Sequence, residues 1–140
     1  MKKLSVKDLA KKMKELDFCM MTTADGRGSM HSRPMSNNRE VEYDGNSYFF
    51  SYEDTGKIRQ LRESPLVSLT FQGKDMLFIQ LYGHASIITQ KGRMKEHWSD
   101  DLNRWFPEGL ETEGVVMIHV EGKRAHYWAK ENEGMLRLDE

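Results

Sequence analysis

The segment "SYEDTGKIRQL", residues 51–61, sets a hydroxyl, a glycine and a lysine at what the spacing predicts to be the start of a helix. A helix N-terminus presents free backbone amides and a partial positive charge. Gly56 lets an anion come close to that backbone, and Lys57 adds a full charge. Together these residues can hold a phosphate. The plainer alternative makes Thr55 only an N-cap and Lys57 an exposed side chain. The segment is not a P-loop, because the Walker glycines are absent and Lys57 is followed by Ile58 rather than Ser or Thr.

A second cation lies in "MHSRPMS", residues 30–36. If this stretch alternates as a strand, His31, Arg33 and Met35 share one face while Met30, Ser32 and Pro34 share the other. Pro34 removes a ladder donor, which places the segment at a sheet edge or a barrel opening. There the Arg33 guanidinium can grip a phosphate or carboxylate bidentately, and the neighbouring backbone is free to meet a flat ligand. The alternative is a surface arginine with a salt-bridge partner. The spacing from Arg33 to Lys57 fits a hairpin out and back, so both can reach one anionic ligand.

Other chemistry-bearing residues read as structural. None of the five histidines has the paired spacing of a zinc site, so no metal is expected, and His84, within a predicted strand, reads as a satisfied polar residue. No serine or cysteine carries a nucleophile signature. Cys19, between Phe18 and Met20, reads as a small core residue. The helix-spaced stripe Met94, Trp98, Leu102, Trp105 reads as core or interface.

The elements that must position these residues fit one domain of 140 residues, long enough for a real core and too short for two domains of ordinary size. With 21 Lys+Arg against 22 Asp+Glu, the net charge of −1 argues against nucleic acid or an anionic membrane as partner, so any anion site must be local. One cysteine forms no internal disulfide. With no signal-like or membrane-spanning apolar run, the expected compartment is the cytoplasm.

"SVKDLAKKMKEL" predicts an amphipathic helix capped by Ser5. "FCMMTTA", "DGRG" and "SMHSRPMSN" predict a hairpin, and a second is expected around the Asp44-Gly45-Asn46 turn, with Tyr48 to Tyr52 as its strand. "TGKIRQLRES" predicts one to two helical turns ended by Pro65. "LVSLTFQ" and "MLFIQLYGHASIITQ" predict strands joined at Gly73-Lys74-Asp75, the second bending at Gly83. "GVVMIHVEGKRAHYWAK" returns to strand. Many strands, short loops and few helices predict an antiparallel barrel closed on itself.

The runs "MMTTADGRGSMHSRPMS", "YFFSYEDTGKIRQLRESPLVSLTF", "LYGHASIITQKGRMKEHW" and "RWFPEG", in this order over roughly residues 4 to 130, resemble the general stress protein 26 group of the pyridoxamine 5'-phosphate oxidase-like superfamily of FMN-binding split barrels. The resemblance implies a six-stranded antiparallel split β-barrel with a few flanking helices, forming a homodimer with FMN at each end of the subunit interface. It assigns Arg33, Pro34 and Met35, with Ser32, to the strand along the flavin and its phosphate. It implies that Thr55 and Lys57 hold the phosphate, that Ser51 and Tyr52 lie on the strand end near the flavin, that Gln80 approaches the ring, and that Trp105 and Phe106 lie close to the flavin from the partner subunit.

Pyridoxamine phosphate oxidases proper resemble one another in an arginine-rich C-terminal tail. The ending "YWAKENEGMLRLDE" is too short and too acidic to supply it, so oxidation of pyridoxamine phosphate is not expected. Two function classes follow: an FMN-dependent oxidoreductase acting on a small molecule, in which no side chain need act as general base, or a binder without turnover, a sensor or store. A binder that held haem would need His31 as axial ligand.

Overall fold

The computed structural model describes residues 3–37, 43–130 and 132–138. Helix α1 (Val6–Met13) opens with a capping box: the Asp8 amide donates to Ser5 Oγ at 3.2 Å, and the Ser5 amide donates to Asp8 Oδ2 at 2.8 Å. Its inward face buries Leu9, Ala10 and Met13. Strands β1 (Phe18–Ala24) and β2 (Met30–Ser36) form the expected hairpin, Phe18 opposite Ser36 and Ala24 opposite Met30. Asp25 builds the turn between them, accepting from the Arg27 amide at 2.7 Å and the Ser29 amide at 3.2 Å while Gly26 and Gly28 take positive φ.

Strand β3 (Asn46–Tyr52) leads into helix α2 (Gly56–Glu63), which buries Ile58 and Leu61 and ends before Pro65 as the sequence predicts. The Asp44-Gly45 turn precedes β3, but β3 pairs with a distant strand. Before Tyr43 and that turn, residues 38–42 lie outside the described residues, and with them most of the first arm of the second predicted hairpin. Strands β4 (Leu66–Gln72) and β5 (Phe78–Ile88) follow, then helix α3 (Lys91–Lys95), two 3₁₀ turns at Asp100–Arg104 and Gly109–Glu111, and strands β6 (Val115–Ala129) and β7 (Asn132–Arg137).

All the strand pairings are antiparallel, in the order β2-β1-β4-β5-β6-β3, with β7 added on β6. The six expected strands are present, and β7 is a seventh that the sequence pattern did not reveal. Two features set this shape. The predicted bend at Gly83 is a register shift between Tyr82 and Gly83, where a side chain would run into the Glu121 carbonyl. Beyond it, β6 changes partner: Val115 to Glu121 pair with β3, and Arg124 to Ala129 pair with β7.

Closure is where the pattern-based expectation fails. The barrel is split: among the described residues β2 and β3 end the sheet without pairing to each other. Pro34 lies on β2, one of these edges, where its missing amide removes no ladder bond to a further strand.

The interior is filled by Leu9, Met21, Ile58, Leu69, Phe71, Ile79, Leu81, Ile118 and Tyr127, all essentially inaccessible. Cys19 joins this core, and burial pushes its thiol pKa up to about 12, so it stays protonated and unreactive at neutral pH. A second cluster, built on Ile88, Met94, Phe106, Val115 and Met117, seats α3 and the 3₁₀ turns against β3, β5 and β6. Here the predicted stripe breaks. Ser99 is extended (φ −122°, ψ 155°) and interrupts the helix, so Met94 is buried and Trp98 and Leu102 pack against the cluster, but Trp105 is 55% exposed.

Candidate functional site

The register defines two faces around β2, because residues directly opposite each other share a face. Arg33 heads the inner row Arg33, Met21, Leu69, Leu81, Ala125, Leu136. The predicted alternation holds: Met35 enters the core, and Arg33, two residues back, is the polar end of an apolar row.

Its guanidinium is held by neutral oxygens. Nη1 donates to Thr23 Oγ1 at 2.7 Å and to the Met21 carbonyl at 3.3 Å, and Nη2 donates to Gln60 Oε1 at 3.3 Å. No carboxylate pairs with it among the described residues, so the surface salt-bridge alternative does not describe Arg33.

Helix α2 brings the second cation. Thr55 occupies the N-cap position with an extended backbone, but its hydroxyl caps nothing: it donates instead to the Tyr52 carbonyl at 2.9 Å. No acidic residue lies in the first turn, so the α2 N-terminus meets no side-chain oxygen as a cap. Lys57 Nζ donates to the buried Ser51 Oγ at 2.7 Å, again a neutral partner. Burial lowers the Lys57 pKa and the Arg33 charge lowers it further, and burial also lowers that of Arg33. Arg33 stays cationic regardless, since a guanidinium does not deprotonate in proteins. The result is a corner with two neighbouring cations and an uncapped helix start, without a counterion among the described residues.

Ser32, Pro34 and Gln80 lie on the other face. Pro34, Met20, Thr70, Gln80, His126 and Met135 form one cross-strand row, and Ser32, Thr22, Ser68 and Tyr82 lie in the adjacent one. Gln80 Nε2 donates to Ser68 Oγ at 3.2 Å, and the Ser32 and Thr22 hydroxyls bond each other at 2.7 Å. The candidates therefore divide: Arg33, Ser51 and Lys57 meet in the inner corner, while Ser32, Pro34 and Gln80 line the outer face of the same sheet edge. This outer face also exposes Phe18, Met20, Met30, Leu66 and Met135.

Trp105 and Phe106 connect through Tyr52. The Tyr52 hydroxyl donates to the Trp105 carbonyl at 3.0 Å, and its ring lies 5.0 Å from that of Phe106, which is buried within the subunit. Only the Trp105 side chain projects outward. His31 Nε2 lies 3.5 Å from Asp25 Oδ2, at the hairpin turn, which gives no support to an axial-ligand role. Among the described residues no group of three or more His, Cys, Asp or Glu could hold a metal, and no helix is long and apolar enough to cross a membrane. An open cleft of about 1530 Å³ lies elsewhere, lined by Lys12, Leu16, Phe18, Lys74, Leu77 and Lys130 among others, and contains none of the candidate residues.

Thr23 and Gln60 are the parts of the corner that sequence reasoning missed. Only the face that each occupies was legible in principle. Thr23 alternates onto the face of Met21, and Gln60 follows Lys57 by three residues, one helical turn.

An open antiparallel barrel with a strand-to-helix cationic corner defines the class, a split β-barrel. Residues 5–138 match the family described as "Pyridoxamine 5'-phosphate oxidase like", and the chain belongs to that family. The structure of general stress protein 26 from Bacillus anthracis is similar with a TM-score of 0.77 at 21% identity, over 96% of this chain and 100% of that one. A Clostridium acetobutylicum protein related to general stress protein 26 gives 0.83 at 14% identity, over 97% and 98%. The general stress FMN/FAD binding protein of Xanthomonas citri gives 0.76 at 23% identity, over 90% and 89%. A Neurospora crassa relative, protein bli-3, is 26% identical over 132 residues, 87% of this chain; the chain spans 63% of that protein's length.

Proposed function

We propose that this chain is an FMN-binding flavoprotein of the oxidoreductase type, working as a homodimer on a small molecule. The observation that carries the reading is the corner where Arg33 and Lys57 meet only neutral partners beside the uncapped start of α2. A phosphate monoester brings a charge of about −1.5 to −2 at pH 7, which matches two cations and a helix N-terminus. The similar Xanthomonas citri protein, named for FMN/FAD binding, supports a flavin as the molecule that carries the phosphate.

In this reading Arg33, Lys57 and the α2 amides hold the phosphate, with Thr55 and Ser51 beside them. Ser32, Pro34, Tyr52 and Gln80 border the flat part of the ligand along the β2 edge, where Met35, its side chain buried in the core, contributes only backbone. The exposed apolar residues of the outer face are what a second copy of the chain would cover, and Trp105, exposed and anchored through Tyr52, would reach across to the partner's flavin. Bound flavin supplies hydride or electron transfer; the chain's own residues bind it, orient it and limit water access.

The test is a titration of purified protein with FMN and, separately, with riboflavin, which lacks the phosphate, followed by NADH or NADPH consumption by the loaded protein. FMN is expected to bind at least tenfold more tightly than riboflavin. Equal affinities would remove the phosphate assignment, and tight FMN binding with no turnover under any donor would leave a carrier or sensor in place of an oxidoreductase.

A further inference from the structure

The Arg33 contacts form a closed ring. Arg33 donates to Thr23 Oγ1 and to Gln60 Oε1, and Thr23 Oγ1 donates in turn to Gln60 Oε1. Thr23 is 1% exposed, and these two bonds use its hydroxyl once as acceptor and once as donor. The orientation of Gln60 is fixed by chemistry: a guanidinium can only donate, so the Gln60 atom that faces it must be the carbonyl oxygen. Its Nε2 makes no hydrogen bond among the described residues and is not enclosed, so a donor is left on the open side of the ring.

An arginine half-withdrawn from water is ordinarily paired with a carboxylate, which would fix its geometry and neutralise it. Position 60 could carry such a carboxylate; a glutamate there has the same length and would meet Arg33 at the same place. The chain has the neutral isostere instead.

We propose that Gln60, with Thr23 as its support, is a positioning residue that sets the site's selectivity for an anionic ligand: it fixes the Arg33 fork while leaving the charge of that fork unspent for the phosphate. The inference rests on the phosphate reading above, and it adds the residue that keeps the corner cationic. A side chain at position 60 that carried its own negative charge would convert the anion site into an internal ion pair.

The experiment compares wild type, Gln60→Glu and Gln60→Met. FMN, riboflavin and inorganic phosphate are the probes, the first two read by fluorescence titration and phosphate by its effect on melting temperature. Gln60→Glu is expected to weaken FMN at least tenfold, to leave riboflavin within twofold, to abolish the phosphate-induced rise in melting temperature, and to leave the ligand-free melting temperature unchanged or higher. Gln60→Met, neutral but unable to accept, should fall between wild type and Gln60→Glu for FMN, again with riboflavin unchanged. A merely structural role predicts otherwise: both variants would lose FMN and riboflavin in parallel, with lower melting temperatures, and that result overturns the proposal. So does Gln60→Glu binding FMN within twofold of wild type.

Failure of the flavin reading is separable. If wild type binds neither flavin but is stabilised by phosphate, and Gln60→Glu is not, the neutral-acceptor role stands and the flavin falls. If phosphate stabilises neither protein, or both equally, the role falls as well.

Discussion

Two sets of basic side chains keep different company in this molecule. On the surface, Arg62 pairs with Glu53 at 2.9 Å, Lys91 with Glu111 at 2.8 Å, and Lys123 with Glu121 at 2.9 Å. In the corner, Arg33 and Lys57 are half-buried, close enough for one to depress the pKa of the other, and bonded to hydroxyl, amide and carbonyl oxygens alone. Burial raises the need for a counterion, yet this half-buried pair has none among the described residues. The difference marks a place where the fold tolerates like-charge repulsion that an incoming anion would relieve.

The largest effect should come from removing both cations. Arg33→Ala with Lys57→Ala deletes two charge-assisted contacts, each worth about 1.5–3 kcal/mol, or about 10- to 150-fold in affinity. The two share one ligand, so the losses need not add, but a combined drop in FMN affinity of about 100-fold or more is expected by fluorescence titration. The ligand-free double variant should not melt earlier through lost charge pairing, since the corner has none to lose. FMN affinity within a few-fold of wild type would show that the contrast between corner and surface has no bearing on binding.

Next in size is a pH effect confined to the corner. The Lys57 pKa is lowered from its ordinary 10.5, first by burial and then by Arg33. A bound anion favours the charged amine and so raises that pKa again, which couples anion binding to retention of the Lys57 proton. Affinity should therefore be complete below the lowered pKa of the free protein and fall as pH rises through it, by at most about tenfold per pH unit for one proton. In Lys57→Met this alkaline limb should vanish, leaving a weaker and flatter profile. A limb that survives the substitution would belong to another group.

How far the corner could be read from the sequence follows from the range of each signal. The α2 segment was legible because cap, glycine, lysine and apolar spacing are all local, and Arg33 was legible because Pro34 beside it marks an edge. The Thr55 position was read correctly, yet its hydroxyl turns to the Tyr52 carbonyl, a choice that depends on how β3 enters the helix. Gln60 and Thr23 were missed because their role exists only once α2 lies against β1, a contact between residues 37 apart in the chain. Gln80 was placed on a strand correctly, but only the cross-strand register shows that it lies on the face opposite Arg33. The openness of the barrel and β7 were illegible for a related reason. Alternation names the faces of a strand and says nothing of which edges meet, and Asn132–Arg137 carries polar and small residues that resemble a loop.

The smallest expected effect supplies the control. Lys91 and Glu111 form the shortest of the three surface ion pairs named above, with side chains 56% and 74% exposed. Exposure means that water already solvates both ions, and the pair must also immobilise two long side chains, so its net worth is about 0–1 kcal/mol. Lys91→Ala should shift stability by no more than that, the shift should shrink as salt is added, and FMN affinity should not move. Distance alone would rank this pair with the Lys57–Ser51 contact, at 2.8 Å and 2.7 Å. If Lys91→Ala changed FMN affinity as much as Lys57→Ala, net charge rather than the uncompensated corner would govern binding; if it does not, what distinguishes the corner is the absence of a counterion, not the shortness of its hydrogen bonds.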